Sequence, residues 1–132
     1  MSNFASVEAE QAVLGSMLID SGCVRRVAAI LRESDFSVAL NQDLYRVIVT
    51  MDRDGQPIDG LTVCAEALRQ SLAEEKTLRK YLAQLMEITP TAANVEMYAD
   101  IVARTARRRE LKTALEDGLA ALADQAPEDE VL

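Results

Sequence analysis

The stretch NVEMYADIVARTARRRELKTALEDGLAALAD, residues 94–124, decides the fold predicted for this chain. Apolar residues recur in it every three or four positions, which predicts one long α-helix capped by Asn94. At 1.5 Å per residue the helix would be about 45 Å long, whereas a compact domain of this size is about 30 Å across. One end should therefore project with an apolar stripe that needs a partner. The predicted stripe comprises Val95, Tyr98, Ala99, Val102 and Ala106 and continues through Leu111, Leu115, Leu119 and Leu122.

The composition of the whole chain favours a single helical domain. The 132 residues are 49% apolar and include only five glycines and three prolines, which suits one helix-rich core. There is no apolar run long enough for a membrane span and no basic-then-apolar start, so we expect a cytoplasmic protein. Cys23 and Cys64 lie in helical apolar patterns, and we expect both to be reduced core residues.

Five short helices are predicted before the long one, and together they would form a compact head. Ser6, Ser21 and Thr62 are the expected N-caps of the first, second and fourth helices. Phe36 should anchor the loop between the second and third helices to the core. Gly15 inside the first helix indicates either a close approach by another helix or a tolerated weak spot. The predicted helices cover residues 6–20, 21–33, 41–54, 63–72 and 77–88.

The predicted fold class is therefore all-α, with a head over residues 1–93 and a long-helix segment over residues 94–132. The fifth helix has an uncertain start, because residues 74–76 could be loop or an early turn. After the long helix, Pro127 followed by three acidic residues is typical of the first turn of a further helix.

Residue types that most catalytic sites need are missing. The sequence has no histidine, which excludes Ser-His and Cys-His nucleophilic catalysis and histidine-ligated zinc. It also lacks a glycine-rich phosphate-binding loop. Asp52, Asp54 and Asp59 do not have the spacing of a calcium loop, and Asp59 is better interpreted as a local backbone hydrogen-bonder. We expect no enzymatic activity, no cofactor and no metal in this chain.

A basic cluster in the middle of the long helix is the most distinctive chemical feature of a chain whose net charge is −8. It could dock an acidic partner or a phosphate backbone. Alternatively, it is a solvated face whose arginines pair with Glu110, Asp100 or acids of a neighbour. No aromatic platform for single-stranded nucleic acid accompanies it. The cluster comprises Arg104, Arg107, Arg108, Arg109 and Lys112.

An ordered set of short motifs resembles the N-terminal domain of DnaB-type bacterial replicative helicases over nearly the whole chain. Each motif is weak alone, and the specificity lies in their order and spacing. They are AEQAVLG at 9–15, DF at 35–36, LY and VI between 44 and 48, GQPID at 55–59, LTV at 61–63, YL at 81–82, TAAN at 91–94 and YADIV at 98–102.

This resemblance implies a helical head followed by a helical hairpin whose first arm is the long helix. In that family the hairpins pair two domains, three such dimers form a collar on a hexameric ring, and the collar contacts primase and in some systems a loader. ATP, Mg²⁺ and DNA translocation belong to a separate motor domain that is absent from this sequence. Two departures stand out: Asn41 occupies a position where the family often has histidine, and the second arm is reduced to the residues after Pro127.

The sequence therefore predicts an assembly and protein-docking domain for DNA replication that does no chemistry itself and contacts neither membrane nor nucleic acid directly. The residues expected to mediate self-association are Leu111, Leu115, Leu119 and Leu122, and the basic cluster is expected to be a second partner surface. Two alternatives stay open: a stand-alone, phage-derived regulator that mimics the collar, and a small helical nucleic-acid-binding protein.

Overall fold

The computed structural model describes the backbone of residues 2–124 and the side chains of residues 7–124. Over this range the fold is all-helical, without a strand, as predicted. Two short 3₁₀ turns, Ser21–Cys23 and Glu33–Asp35, connect the first three helices. The helix start predicted after Pro127 lies outside the described residues. The six α-helices are α1 Ser2–Ile19, α2 Val24–Ala28, α3 Ala39–Arg53, α4 Gly60–Arg69, α5 Glu75–Glu87 and α6 Val95–Ala123.

The first two helices differ from their predicted bounds at both ends. Ser6 is not an N-cap, because α1 begins at Ser2 and nothing between these residues interrupts a helix. Asp20 replaces Ser21 as the cap of the next element, since its carboxylate accepts a hydrogen bond from the Gly22 amide at 3.1 Å. That cap produces a 3₁₀ turn, and α2 then ends at Ala28, well before residue 33.

The caps of α4 and α6 also differ from the prediction. Asp59 caps α4, because its carboxylate accepts from the Thr62 amide at 2.8 Å while the Thr62 hydroxyl accepts from the Asp59 amide at 2.9 Å. Thr62 is therefore the reciprocal partner of the cap, and the interpretation of Asp59 as a local hydrogen-bonder is confirmed. Asn94 stands at the N-cap of α6, but its side chain makes no capping bond.

The core forms where α1 packs against α3, α5 and α6. Phe36 is fully buried, with its ring centroid 4.7 Å from that of Tyr45, so its role as a loop anchor is confirmed. Cys23 and Cys64 are free, buried thiols, as expected. None of the helices in the described part of the chain has the length and apolarity that crossing a membrane requires.

Gly15 marks the closest approach between two helices of the head. A Cβ atom at this position would overlap Thr89 Oγ1 and the carbonyl oxygen of Leu85 at the end of α5. Only glycine lets the backbone of α1 lie against this turn, so the close-approach interpretation is confirmed. This contact also brings the C-terminal end of α5 to α1 just before the chain enters α6.

Candidate assembly and docking surface

The first half of α6 belongs to the core of the head, and the second half leaves it. Val95, Ala99, Val102 and Ala106 are buried at 0–1% exposure. Further along, Leu111, Leu115, Leu119 and Leu122 are 62%, 61%, 68% and 52% exposed. The projecting end that the length of the helix predicts is therefore present, and all four leucines face solvent.

The leucines do not continue the buried stripe, so this part of the prediction is wrong. Successive helical residues are about 100° apart, which places the mean direction of the four leucines roughly 180° from that of the four buried residues. The apolar side of α6 thus changes from one face to the other between Ala106 and Leu111. The head packs on one side of the helix and the leucines point away on the opposite side.

The head-facing side of α6 beyond Ala106 is polar. Arg109, Thr113 and Asp117 line it, and with Ser34 of the head they border a cleft of about 480 Å³. Such polar side chains remain hydrated, so this side of α6 offers no apolar surface against which the leucines could be buried. The change of face therefore follows from the sequence, which places polar residues on the head-facing side of α6 beyond Ala106 and leucines on the outward side.

Two members of the basic cluster point into the head and bind one buried acidic residue, Asp35. Asp35, 1% exposed, accepts a hydrogen bond on its carboxylate from Arg107 and one on its backbone carbonyl from Arg109 Nη2 at 2.9 Å. The second carboxylate oxygen accepts from the Arg32 amide at 2.9 Å. Charge-assisted bonds of this kind compensate the cost of burying a carboxylate. Arg107 and Arg109 thus tie α6 to the 3₁₀ turn Glu33–Asp35.

Tyr45 is buried close to this acid, and both features disfavour ionisation of its phenol. Burial, and then the negative charge of Asp35, raise the pKa of Tyr45 to about 12. The neutral phenol donates a hydrogen bond to the Leu31 carbonyl at 2.8 Å. Glu110 adds an outer layer to the cluster, 3.4 Å from Arg32 and 3.5 Å from Arg107.

The other three members of the basic cluster face outward. Arg104 forms an exposed ion pair with Asp100 at 3.1 Å, one of the pairings expected for a solvated face. Arg108 and Lys112 are exposed, and among residues 7–124 neither has an ion-pair partner. Because these three cations are four residues apart, they follow one line along the leucine side of α6. The structure thus divides the predicted cluster into two inward and three outward cations.

Asn41, the first departure from the family pattern, is an internal residue. Asn41 is fully buried. Its side-chain amide nitrogen donates a hydrogen bond to Glu10 Oε1 at 3.0 Å, and its side-chain carbonyl oxygen accepts one from the Tyr81 hydroxyl. Ser37 donates to the other oxygen of Glu10 from both its amide, at 2.9 Å, and its hydroxyl, at 2.6 Å. The contacts of this position therefore join α1, α3 and α5 rather than reaching a partner.

An apolar groove between α4 and α5 has no counterpart in the predicted sites. Its volume is about 500 Å³, and Leu61, 77% exposed, stands at its edge beside Met86 and Leu68. The only feature of the sequence that indicates this groove is the apolar residue just before Thr62, which is Leu61. That signal indicates a capping contact equally well, so the groove could not be predicted.

The fold and the exposed face of α6 together define an all-helical domain with a projecting amphipathic helix. The profile of the DnaB-like helicase N terminal domain matches residues 2–104, and the chain belongs to this family.

Two curated relatives are named as replicative helicases. The chain is 39% identical over 110 residues to the replicative DNA helicase DnaB of Geobacillus stearothermophilus, covering 83% of this chain and 24% of the relative. It is 34% identical over 110 residues to the replicative DNA helicase DnaC of Bacillus subtilis, with the same coverage. The chain therefore spans about a quarter of the length of these relatives.

Solved structures agree with this assignment. The N-terminal domain of DnaB helicase from Mycobacterium tuberculosis superposes with a TM-score of 0.85 at 35% identity, covering 95% of this chain and 88% of that one. The N-terminal domain of DnaB helicase from Helicobacter pylori, described with its interactions with primase, gives a TM-score of 0.75 at 18% identity. The coverage is 93% and 94%, respectively, and at this identity the likeness shows the fold alone.

Proposed function

We propose that this domain is an assembly and docking module of a bacterial replicative DNA helicase. It pairs with other copies through α6, helps to organise a hexamer, and presents a surface to primase and to a loader. ATP and Mg²⁺ would act in a separate motor domain, and the assembly would work in the cytoplasm. Family membership and the names of the relatives support this role.

The observation that carries the proposal is the exposed leucine row on the outward face of α6. Four large apolar side chains more than half exposed on one side of one helix are unusual for a domain that remains alone in water. Burying eight such leucines from two copies would contribute on the order of 10 kcal/mol, comparable with the roughly 4–15 kcal/mol cost of association. We therefore expect a pairing that depends on protein concentration.

We assign the head and the arm to consecutive segments of the chain. The head includes the first half of α6 as far as Ala106, and the projecting second half of α6 supplies the arm through which copies meet. Burial of Val95, Ala99, Val102 and Ala106 fixes the base of that arm in the head. An arm held at its base presents the leucines in one orientation, which lowers the entropy lost on pairing.

Light scattering on a double variant, Leu119→Glu with Leu122→Glu, tests self-association. We expect the parent to show a mass above that of one chain at high concentration and the double variant to be monomeric, because two carboxylates would be buried without partners. Leu61→Glu, at a still more exposed leucine on the head, is the control and should keep the parent's mass. A monomeric parent, or a double variant that keeps the parent's mass, would refute the proposal.

A further inference from the structure

The outward face of α6 carries a helix-pairing seam that is longer than the leucine row. Its residues alternate in steps of four and three, the spacing with which two helices interlock. The seam starts over the head, where Met97 is 56% exposed, and runs the length of the helix. Its members are Met97, Ile101, Arg104, Arg108, Leu111, Leu115, Gly118 and Leu122.

The two halves of this seam differ in chemistry. The downstream half is apolar, whereas the upstream half places Arg104 and Arg108 between apolar positions, with Lys112 alongside. A charge at a seam position costs stability unless the partner supplies an opposite charge, and it thereby selects the partner. None of the seam residues is acidic, and the acid that flanks the seam, Asp100, is already paired with Arg104. A second copy laid along the seam would therefore leave Arg108 and Lys112 opposite apolar or basic residues.

We propose that the upstream half, from Met97 to Lys112, docks an amphipathic helix of another protein that carries carboxylates opposite Arg104, Arg108 and Lys112. The inference rests on the proposed docking role of the domain, but it does not require the leucine pairing. Charge complementarity identifies the partner: three cations in line, two of them without an ion pair among residues 7–124, fit a row of acidic side chains.

The inward pair of arginines explains why this surface is selective. Arg107 and Arg109 are held by Asp35, so they lie on the side of the helix that faces the head. A partner therefore meets a narrow line of three cations between the exposed side chains of Met97 and Leu111, with the partly buried Ile101 on the side of the head, rather than a diffuse basic patch. The backbone of these residues is already fixed in the helix, so binding orders only their side chains and not the chain itself.

The probe for this proposal is a synthetic amphipathic helix of about three heptads, with leucine at the core positions and glutamate beside them. A second peptide carries lysine in place of every glutamate. We expect the glutamate peptide to bind the full chain in fluorescence anisotropy and the lysine peptide not to bind. Combining Arg104→Glu and Arg108→Glu should lower the affinity for the glutamate peptide by about tenfold or more. The same variant should bind the lysine peptide.

Three controls make the result specific. Lys76→Glu with Lys80→Glu reverses two exposed cations of the same spacing on α5, and this variant should bind the glutamate peptide as the parent does. The variant with Leu119→Glu and Leu122→Glu should also bind it, because the docking surface lies upstream. Conversely, the arginine variant should keep the parent's mass in light scattering.

Each other outcome overturns the proposal. Equal loss in the lysine control would mean that net charge alone attracts the peptide. Undiminished binding to the arginine variant would place the peptide elsewhere on the domain. Tighter binding of duplex DNA than of the glutamate peptide, lost in the arginine variant, would assign the surface to a phosphate backbone. The light-scattering result for the leucine variant is a separate measurement, and it tests only the proposed function.

Discussion

Arg107 donates a hydrogen bond to the buried carboxylate of Asp35, a residue 72 positions earlier in the chain. This contact lies just after Ala106, the last buried residue of α6, and so it closes the junction between head and arm. The two residues belong to no common local motif, and the sequence around each of them predicts an ordinary solvent-exposed charge. Their pairing converts part of a basic cluster into a structural joint.

Arg107→Gln is expected to lower the free energy of unfolding by about 2–3 kcal/mol, because a buried carboxylate loses a charged donor. Arg104→Gln, which removes an exposed pair with Asp100, should cost less than about 0.5 kcal/mol. Urea denaturation followed by circular dichroism measures both values. Similar costs for the two variants would show that the Asp35 contact contributes no more than a surface pair.

Gly15→Ala should destabilise the domain by about 1–3 kcal/mol, because the added methyl group meets Thr89 and Leu85 and outweighs the gain in helix propensity. The same substitution at Gly118, a partly exposed position in the projecting half of α6, should stabilise by up to about 1 kcal/mol. Thermal melts of the two variants would then shift in opposite directions. A stabilised Gly15→Ala variant would contradict the close helix contact.

Asn41→Ala is expected to cost about 1–3 kcal/mol, because it removes both a donor to Glu10 and the acceptor of the Tyr81 hydroxyl inside the core. Asn94→Ala provides the matched control, since its exposed side chain makes no capping bond and the change should stay within about 0.5 kcal/mol. Chemical denaturation compares the two. If Asn94→Ala proves the costlier change, the assignment of the two asparagines is wrong.

Acid should weaken α4 through the exposed carboxylate of Asp59 and the partly buried carboxylate of Glu66. The Thr62 amide lowers the pKa of Asp59, and the Arg69 guanidinium lowers the pKa of Glu66 to about 2. Groups with depressed native pKa values stabilise the fold above their unfolded pKa of about 4, and this contribution is lost as the pH falls toward 2. The melting temperature of the parent should therefore drop below about pH 4 more steeply than that of Asp59→Asn combined with Glu66→Gln.

A flat profile in both proteins, or the same slope in both, would contradict this assignment. NMR titration of the two side-chain carboxyls gives an independent reading. The Glu66 resonance should titrate near the acid end of the accessible range, with Asp59 below its usual value.

Local periodicity predicted much of the head because the contacts that decide it are close in sequence. Leu44, Val47, Ile48 and Met51 are all buried on α3, as their spacing indicates. The same spacing argument would place Ala28 on the inward side of α2, yet Ala28 is exposed, at the residue where that helix ends. Caps fix helix ends through single hydrogen bonds, and several residue types nearby could have made them.

The candidate site was predicted in its residues but not in its geometry. The four leucines are exposed on the projecting part of α6, but the change of face at Ala106 is hidden when one stripe is assumed to run through the whole helix. The division of the basic cluster depends on Asp35, which the fold brings to α6 from 72 positions away. Such long-range pairings leave no periodic trace in the sequence.

The two apolar stripes of α6 face opposite directions. The number of residues between Ala106 and Leu111 therefore determines the direction in which the leucine row points. Inserting one alanine there would turn the leucine row by about 100° around the helix axis and advance it by about 1.5 Å, while the head stayed unchanged. Related chains could therefore re-aim their outer surface by small insertions or deletions at this point, without altering a single buried residue.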